Sequence, residues 1–564
     1  MFNFGKNKRK INLKTEIDPD EIFLDSENLP GFDIDQFEGR LEKPISKKSV
    51  AFVGIFFSLI VISFFIQIFN LQINNGNVYA EQSEKNRLRQ SIIFADRGII
   101  YDIKKTPLVW NNPPADGSDF SSRQYTNIPG FSNLLGYVSY PQKDNAGFYF
   151  QEDIKGVEGI EFVYDQYLRG QNGSEIIETN ALSQPISQST TRVPQHGADL
   201  SLTIDADVQR EFRNAIVKIA DERGFSGAGG VIMDVFTGEI LAMVSYPEYD
   251  SNVLSLGSDG EAINSFIRNP GNPFLNRVSS GLYTPGSVVK PFMAIAALAE
   301  KIIDPQRQIL STGQLIIPNP YNPANPSIFT DWKAHGLVDM RRALAVSSNV
   351  YFYEIGGGYG EQKGLGITNI NKYMKMFGFG EGIESPEFAN VSGVVPNPDW
   401  KRQNFNDDWR LGDTYFTSIG QYGFQVTPLQ MVAATAAIAN EGTLLEPRLV
   451  FDSKISSQIK RQIPIESSNF KIIKEGMREA VLNGTAGGLN YPDFHIAAKT
   501  GTAELGDTKS RVNSWITGFF PYENPRFAFV IVLESGSRSN LVGGVAASRY
   551  FFDWLKFNKP EYLN

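Results

Sequence analysis

Residues 50–69 read VAFVGIFFSLIVISFFIQIF, an apolar run without a charge whose only polar side chains are Ser58, Ser63 and Gln67. At about 1.5 Å of rise per residue, a helix over this run covers the roughly 30 Å hydrocarbon core of a bilayer. A helix buried in a soluble core usually keeps one polar stripe, and this run is apolar on every face, so it reads as a transmembrane anchor. Lys43, Lys47 and Lys48 precede it, with Lys6, Lys8, Arg9 and Lys10 further upstream, whereas the residues that follow (LQINNGN) carry no charge. That asymmetry places the N-terminus in the cytoplasm and the rest of the chain outside. Small residues at Val78-Tyr79-Ala80 offer a competing reading as a cleaved signal peptide, but the apolar run is too long and the site too far beyond it. The tail, residues 1–49, has basic ends around an acidic middle and few aromatics, a composition expected to be disordered.

A chain of 564 residues exceeds one ordinary core, so the anchor is expected to carry two or more folded parts. The net charge of −9 argues against a nucleic-acid binder, whose footprint is a basic face. Without cysteine there is no disulfide, no thiolate nucleophile and no Cys-based metal site. Only His196, His335 and His495 are available for a Ser-His-Asp triad, so serine chemistry here is expected to turn to a lysine base.

Residues 70–199 are rich in Gly, Asn, Pro and Ser, lack a strong period, and read as a loop-rich membrane-proximal pedestal. Within it, GVEGIEFVYDQYLRGQNG (156–173) predicts one helix with Ile160, Val163, Tyr164 and Tyr167 on its apolar face. From residue 200 to 564 the pattern changes. LSLTID predicts a strand, Asp205 a helix cap, GVIMDV and EILAMVS a hairpin, SWITGFFPY and RFAFVIVLES two late strands, and residues 545–557 a final helix. Helical runs such as FMAIAALAEK and TPLQMVAATAAIAN lie between. The expected fold is α+β, an antiparallel sheet flanked by helices and completed from distant parts of the chain.

Three short motifs in this second region bear chemistry. Tyr283-Thr284-Pro285-Gly286-Ser287-Val288-Val289-Lys290 places Ser287 and Lys290 on one face at the start of a helix, where the dipole favours developing negative charge. Lys290 can deprotonate the serine only if burial and a second cation lower its pKa. The tetrapeptide alone is equally an ordinary helical serine, and S-x-x-K recurs at Ser457–Lys460 and Ser468–Lys471 in polar surroundings without a Pro-Gly turn. Ser347-Ser348-Asn349 follows a helical stretch. Residues two apart do not share a helix face, so joint use of Ser347 and Asn349 requires a turn or a helix end. Its hydroxyl could relay a proton and its amide hold a peptide, although Ser467-Ser468-Asn469 repeats the pattern. Lys499-Thr500-Gly501-Thr502 ends the strand-like run FHIAA. Lys499 and Gly501 point the same way on a strand, and the glycine allows close backbone approach; a lysine at a strand end before a turn is the plain alternative.

The combination, in this order and on the outer side of one anchor, is the active-serine set of penicillin-binding proteins and serine β-lactamases. The chain resembles a class B penicillin-binding protein from the anchor to the C-terminus, also through Ala95-Asp96-Arg97-Gly98, GVEGIEFVYDQYLRG, NRVSSGLYTPGSVVKP, GDTYFTSIGQYGFQVTPLQ and KTGTAE. Trp332-Lys333-Ala334-His335-Gly336 and GDTYFTSIGQ look most like the elongation-type members, often called penicillin-binding protein 2. Tyr422 stands where the family's Gly-Gln-Gly closes, and Asn513 where a histidine often precedes the Ser-Trp pair.

What the resemblance implies is a monofunctional peptidoglycan D,D-transpeptidase in the bacterial cell membrane, with no cofactor and no metal. Ser287 would be acylated by the D-Ala-D-Ala carbonyl of a stem peptide, with Lys290 as base and Ser347 and Lys499 passing a proton to the departing D-Ala. Asn349, Thr500, Gly501 and Thr502 would bind substrate, Thr500 at the terminal carboxylate and the Thr502 amide in the oxyanion hole. Expected partners are stem peptides, β-lactams, a separate glycan polymerase and scaffold proteins. The rivals are a division-specific transpeptidase, a D,D-carboxypeptidase or β-lactamase that delivers the acyl group to water, and a catalytically silent scaffold. The long pedestal speaks against a β-lactamase, and the complete motif set against a silent scaffold. If the anchor spans as read, protease added to spheroplasts should digest the chain after Asn70 and spare the part before Lys48; protection of the C-terminal part would overturn this topology.

Overall fold

The computed structural model describes residues 46–563 apart from 116, 146, 180–184, 320, 452–456 and 507, so the tail read as disordered lies, over 1–45, outside the described residues. Helix α1 (Lys47–Phe69) is capped by the Ser46 hydroxyl, which accepts from Ser49 N–H at 3.1 Å, and none of its residues is buried. It continues through a π-helical turn, Asn70–Asn74, to α2 (Gly76–Arg87). Among the described residues this is the one helix long and apolar enough to cross a membrane.

A second compact unit comprises residues 89–178 and 184–564. Its first part carries β1 (Ile100–Tyr101), β2 (Pro107–Asn112), β3 (Ser122–Tyr125) and the short helices α3 (Gly159–Val163) and α4 (Asp165–Leu168). The single helix predicted over 156–173 is thus broken at Tyr164, whose φ and ψ are −102° and 22°. Glu161 turns inward beside Ile160, while Tyr167 stays exposed. The Glu161 carboxylate is fully buried between two arginines: Arg97 Nε donates to Oε2 at 2.5 Å and Arg123 Nε to Oε1 at 2.8 Å. Arg97 also reaches Ile154 O (2.9 Å) and Asp165 Oδ1 (2.8 Å). Two sequence motifs of no evident chemistry, Ala95-Asp96-Arg97-Gly98 and GVEGIEF, therefore meet in one ion cluster that orders a region poor in regular structure.

The chain then crosses to the larger part through β4 (Leu200–Ser201), which pairs parallel with β1. The strand expected over LSLTID stops there, because Leu202 bridges Val450 and Asp205 turns away to cap α5 (Ala206–Arg223) through Asp207 N–H (3.0 Å) and Val208 N–H (3.4 Å). The main sheet is antiparallel. It contains β5 (Gly227–Asp234), β6 (Ile240–Tyr246), β7 (Ala497–Leu505), β8 (Arg511–Phe520) and β9 (Phe527–Ser537) in the order β6-β5-β9-β8-β7. Alternate side chains leave opposite faces of a strand, and both faces are covered. On β9, Ala528, Val530 and Val532 join one core while Phe529, Ile531 and Leu533 join another with α5 and the C-terminal helix, which explains its uninterrupted apolar run.

The first core is filled by helices α6 (Lys290–Ala299), α7 (Met340–Val346), α8 (Asn349–Gly357), α9 (Pro428–Ala439) and α10 (Ser467–Asn483), and α11 (Gly544–Asn558) covers the other face. Strand β7 is the sheet's edge, and the Lys499 motif lies inside it rather than at its end. The ion cluster of the first part yields a test. Glu161→Ala would leave the Arg123 guanidinium buried without a counter-charge and Arg97 with Asp165 alone, a change that typically costs about 3–5 kcal/mol. Thermal unfolding should show a clear drop in Tm for Glu161→Ala, whereas a loss below about 1 kcal/mol, the range of an exposed pair, would contradict the account.

Candidate active site

The turn Thr284-Pro285-Gly286 is fastened from several directions before the helix begins. Tyr283 exchanges backbone hydrogen bonds with Val426, Gly286 N–H donates to Gly420 O (3.0 Å), and the buried Trp515 Nε1 donates to Thr284 O (3.1 Å). Gly286 has φ +57°, and a Cβ on Gly420 would lie 2.2 Å from Gly286 O, so both positions require glycine. From Gly286 to Val289 the chain is a 3-10 helix that passes directly into α6. Three residues per turn eclipse positions i and i+3, so Ser287 and Lys290 are aligned more closely than an α-helix would bring them.

Ser287 is half-buried at this helix start. Lys290, three residues on, is fully buried and reaches the junction of α7 and α8, where Nζ donates to Ser347 O (2.8 Å) and Asn349 Oδ1 (2.7 Å) and lies 3.4 Å from Ser347 Oγ. Ser347 has left-handed backbone angles (φ 59°, ψ 39°) at the end of α7, and Ser348 caps α8. The two-residue spacing works because the motif straddles two helices, as the sequence required.

Lys499 approaches from β7. It too is fully buried, and its Nζ donates to Ser347 Oγ (2.8 Å) and to Thr500 O (2.8 Å). Burial pulls the Lys290 pKa down to about 7, against an opposing pull from Asp331. Burial, reinforced by the neighbouring Lys290, pulls Lys499 well below its ordinary value. Burial alone therefore brings Lys290 into the range of a base, and the neighbouring charge acts on Lys499 instead. Buried like charges disfavour simultaneous protonation, so the pair is poised to hold one proton more readily than two.

Gly501 has a packing purpose that the sequence did not show. A Cβ there would meet Val288 Cγ1 at 2.9 Å and Pro285 O at 3.0 Å, so the bare glycine admits the Ser287 turn itself against the strand. A Cβ on Gly286 would lie 2.7 Å from Thr502 O, so that carbonyl faces the turn. N–H and C=O of one residue in an extended strand point the same way, so the Thr502 N–H lies on the same unpaired edge. Thr500 is half-buried and donates from Oγ1 to Thr485 Oγ1 (2.6 Å). The structure thus brings Lys290, Ser347, Asn349 and Lys499 into direct contact and sets Ser287, Gly501 and Thr502 along their edge.

The decoys stay away from this constellation. Ser468 is exposed in the first turn of α10, and Lys460 is held by Gly382 O (2.7 Å) and Glu446 (2.9 Å). The departures are accommodated locally. Tyr422 has φ +64° and its ring lies edge-on to Trp400 and Trp409, while Asn513 sits at a bulge in β8 and accepts Ser535 N–H at 2.9 Å. Sequence reasoning missed Asp331. Its fully buried carboxylate accepts from Asn349 N–H (2.7 Å) and Val350 N–H (3.0 Å), and only its position just before Trp332 in the quoted segment marked the neighbourhood.

Residues 228–553 match the family described as penicillin binding protein transpeptidase domain, and residues 118–202 the penicillin-binding protein dimerisation domain. The peptidoglycan D,D-transpeptidase MrdA of Acinetobacter baumannii is 31% identical over 473 residues, covering 78% of this chain and 67% of that protein. The Escherichia coli K12 protein of the same name is 28% identical, covering 88% and 92%. The structure of Helicobacter pylori PBP2 in complex with MreC superposes with a TM-score of 0.68 at 26% identity, covering 83% of this chain and 98% of that one. The glycine contact is open to test. Gly501→Ala should push the Ser287 turn from the strand and slow modification of Ser287 by about 10²-fold, the scale of a 1 Å misplacement, with little change in Tm. Unchanged reactivity in a time course of labelling would show that the close approach is not needed.

Proposed function

The chain belongs to the penicillin-binding protein transpeptidase family, and on that premise we propose how its own residues divide the work. It is a peptidoglycan D,D-transpeptidase of the elongation type. Ser287 Oγ attacks the carbonyl of the D-Ala-D-Ala bond in a donor stem peptide and gives its proton to neutral Lys290. The N–H groups of Ser287 and Thr502 hold the oxyanion, an interaction typically worth several kcal/mol. As the C–N bond breaks, Ser347 Oγ–H protonates the departing amine and is itself reprotonated from the lysine pair. An amine of a second stem peptide then attacks the Ser287 ester, forming the cross-link and returning the proton to the serine. Asn349 binds the donor peptide amide, and Lys499 and Thr500 the terminal carboxylate. The observation that carries this reading is Ser347 Oγ held between Lys290 and Lys499, which couples base and acid through one hydroxyl.

The same reading divides the chain into a cytoplasmic tail (1–49), an anchor (50–69), a pedestal or dimerisation module (70–199) and a catalytic domain (200–564). The N-terminus lies in the cytoplasm and the catalytic domain outside the bacterial membrane. The enzyme works beside a separate glycan polymerase and scaffold proteins; the MreC complex of the H. pylori relative supports a protein partner for such a chain.

Intact-protein mass spectrometry with a penicillin tests these assignments. One adduct should form on Ser287 and persist for many minutes, since no further base is assigned to activate water. Ser287→Ala should abolish it and Ser457→Ala or Ser468→Ala should not; Lys290→Arg should be severe, because arginine stays protonated. The acylation rate should rise with pH through about 7 as Lys290 loses its proton. Rapid loss of the adduct would favour a β-lactamase, and an adduct on another serine would overturn the site.

A further inference from the structure

Asp331 lies in the loop after the strand Ser327–Thr330 and takes the Ser348 hydroxyl and the first amides of α8. Its Oδ2 accepts from Asn349 N–H (2.7 Å), Val350 N–H (3.0 Å), Ser348 Oγ (3.0 Å) and Ser311 Oγ (3.4 Å). Ser311 and Ser348 lie 2.9 Å apart, and Oδ1 accepts Trp332 N–H at 2.8 Å. This is a carboxylate at the first turn of α8, where the orphan amides and the helix dipole both favour an anion. Asn349, so placed, has its side chain fixed at both ends: Oδ1 accepts from Lys290 Nζ (2.7 Å) and Nδ2 donates to Thr330 O (3.3 Å).

We propose that Asp331 is the positioning residue of this site, clamping Ser348 and Asn349 at the start of α8 so that the Asn349 amide holds Lys290 beside Ser347. The inference rests on the reading of Lys290 as the base. Asp331 has a second effect through charge. The groups that face Lys290 are Lys499 from β7 and, from the loop, Asp331 and His335, whose Nε2 is 3.7 Å from Asp331 Oδ1. Of these Asp331 alone is anionic, and it favours the protonated lysine. A clamp that merely stabilised the fold would affect how much enzyme is active. This clamp also raises the pH at which the base becomes available, against the larger effect of burial.

The test is the acylation rate of the full-length protein in detergent by a fluorescent penicillin, measured across pH with the adduct mapped in the same samples. Asp331→Asn keeps the size and one acceptor oxygen but removes the charge. It should slow acylation by about 10²-fold and move the acid limb of the profile to lower pH, because Lys290 then loses its proton more easily. Ser348→Ala, which keeps the charge, should slow acylation several-fold with the limb unmoved. If Asp331→Asn does not fold, the double variant Ser311→Ala/Ser348→Ala replaces it, with a several-fold loss and an unmoved limb expected; a wild-type rate overturns the proposal. An unmoved limb in folded Asp331→Asn with the adduct still on Ser287 also overturns it, and leaves the reading of Lys290 standing. Absence of a Ser287 adduct in the wild type would instead sink the reading of the whole site.

Discussion

Two ammonium groups buried against one hydroxyl disfavour each other's charge, and the rest of the catalytic region is arranged around that conflict. Lys290 and Lys499 both donate toward Ser347 Oγ, and both are fully buried. In water a lysine is a poor base at neutral pH because it is protonated; here desolvation disfavours the charge on both lysines, and at Lys499 the neighbouring Lys290 adds repulsion. The hydroxyl between them has two lone pairs for the lysines and one proton to send elsewhere. On the proposed reading, this geometry supplies a base, an acid and a relay from three side chains without histidine. Both His196, which accepts Asp96 N–H, and His495, paired with Glu523, are engaged in contacts outside this cluster.

Such a cluster must be assembled from rigid parts, since neither lysine would stay buried in a loose loop. The 3-10 turn brings in Lys290 three residues after Ser287, the junction of α7 and α8 supplies Ser347 and Asn349, and the edge strand β7 supplies Lys499. Close approach between them depends on absent side chains at Gly286, Gly420 and Gly501, where a Cβ would come within 3 Å of neighbouring backbone or side-chain atoms. A sheet edge is ordinarily a liability. In this molecule the free backbone groups beside Thr502 face the serine turn, which leaves part of that edge available to a peptide and shields the rest.

Much of the architecture was legible because it follows from periodicity and capping. The β5–β6 hairpin, the two late strands, the Asp205 cap and the apolar helices before and after the S-x-N segment all appear where their patterns put them. The pedestal was harder. Its helix over 156–173 breaks at Tyr164, whose hydroxyl donates to Glu387 at 2.7 Å, a residue 223 positions away. Glu387 also accepts the Leu449 and Val450 amides, and Ala206 N–H donates to Asp102 across the change of pattern near residue 200. Local propensity carries no information about such contacts, so a composition change marks a boundary in sequence where the fold has continuous packing.

By itself the sequence determined the anchor, the order of the three motifs and the residue types able to carry acyl transfer, because length, spacing and chemical identity are properties of the chain alone. It also set the condition that Lys290 needs burial and a second cation. Which cation, and whether burial occurs, was decided only by the tertiary structure: Ser347 meets Lys290 57 residues away and Lys499 152 residues away. The role of Gly501 as a seat for the serine turn and the presence of Asp331 behind Asn349 belong to that same class. Proximity and desolvation come from packing elements that are remote in sequence, and no local pattern records which remote side chain will share a buried hydroxyl.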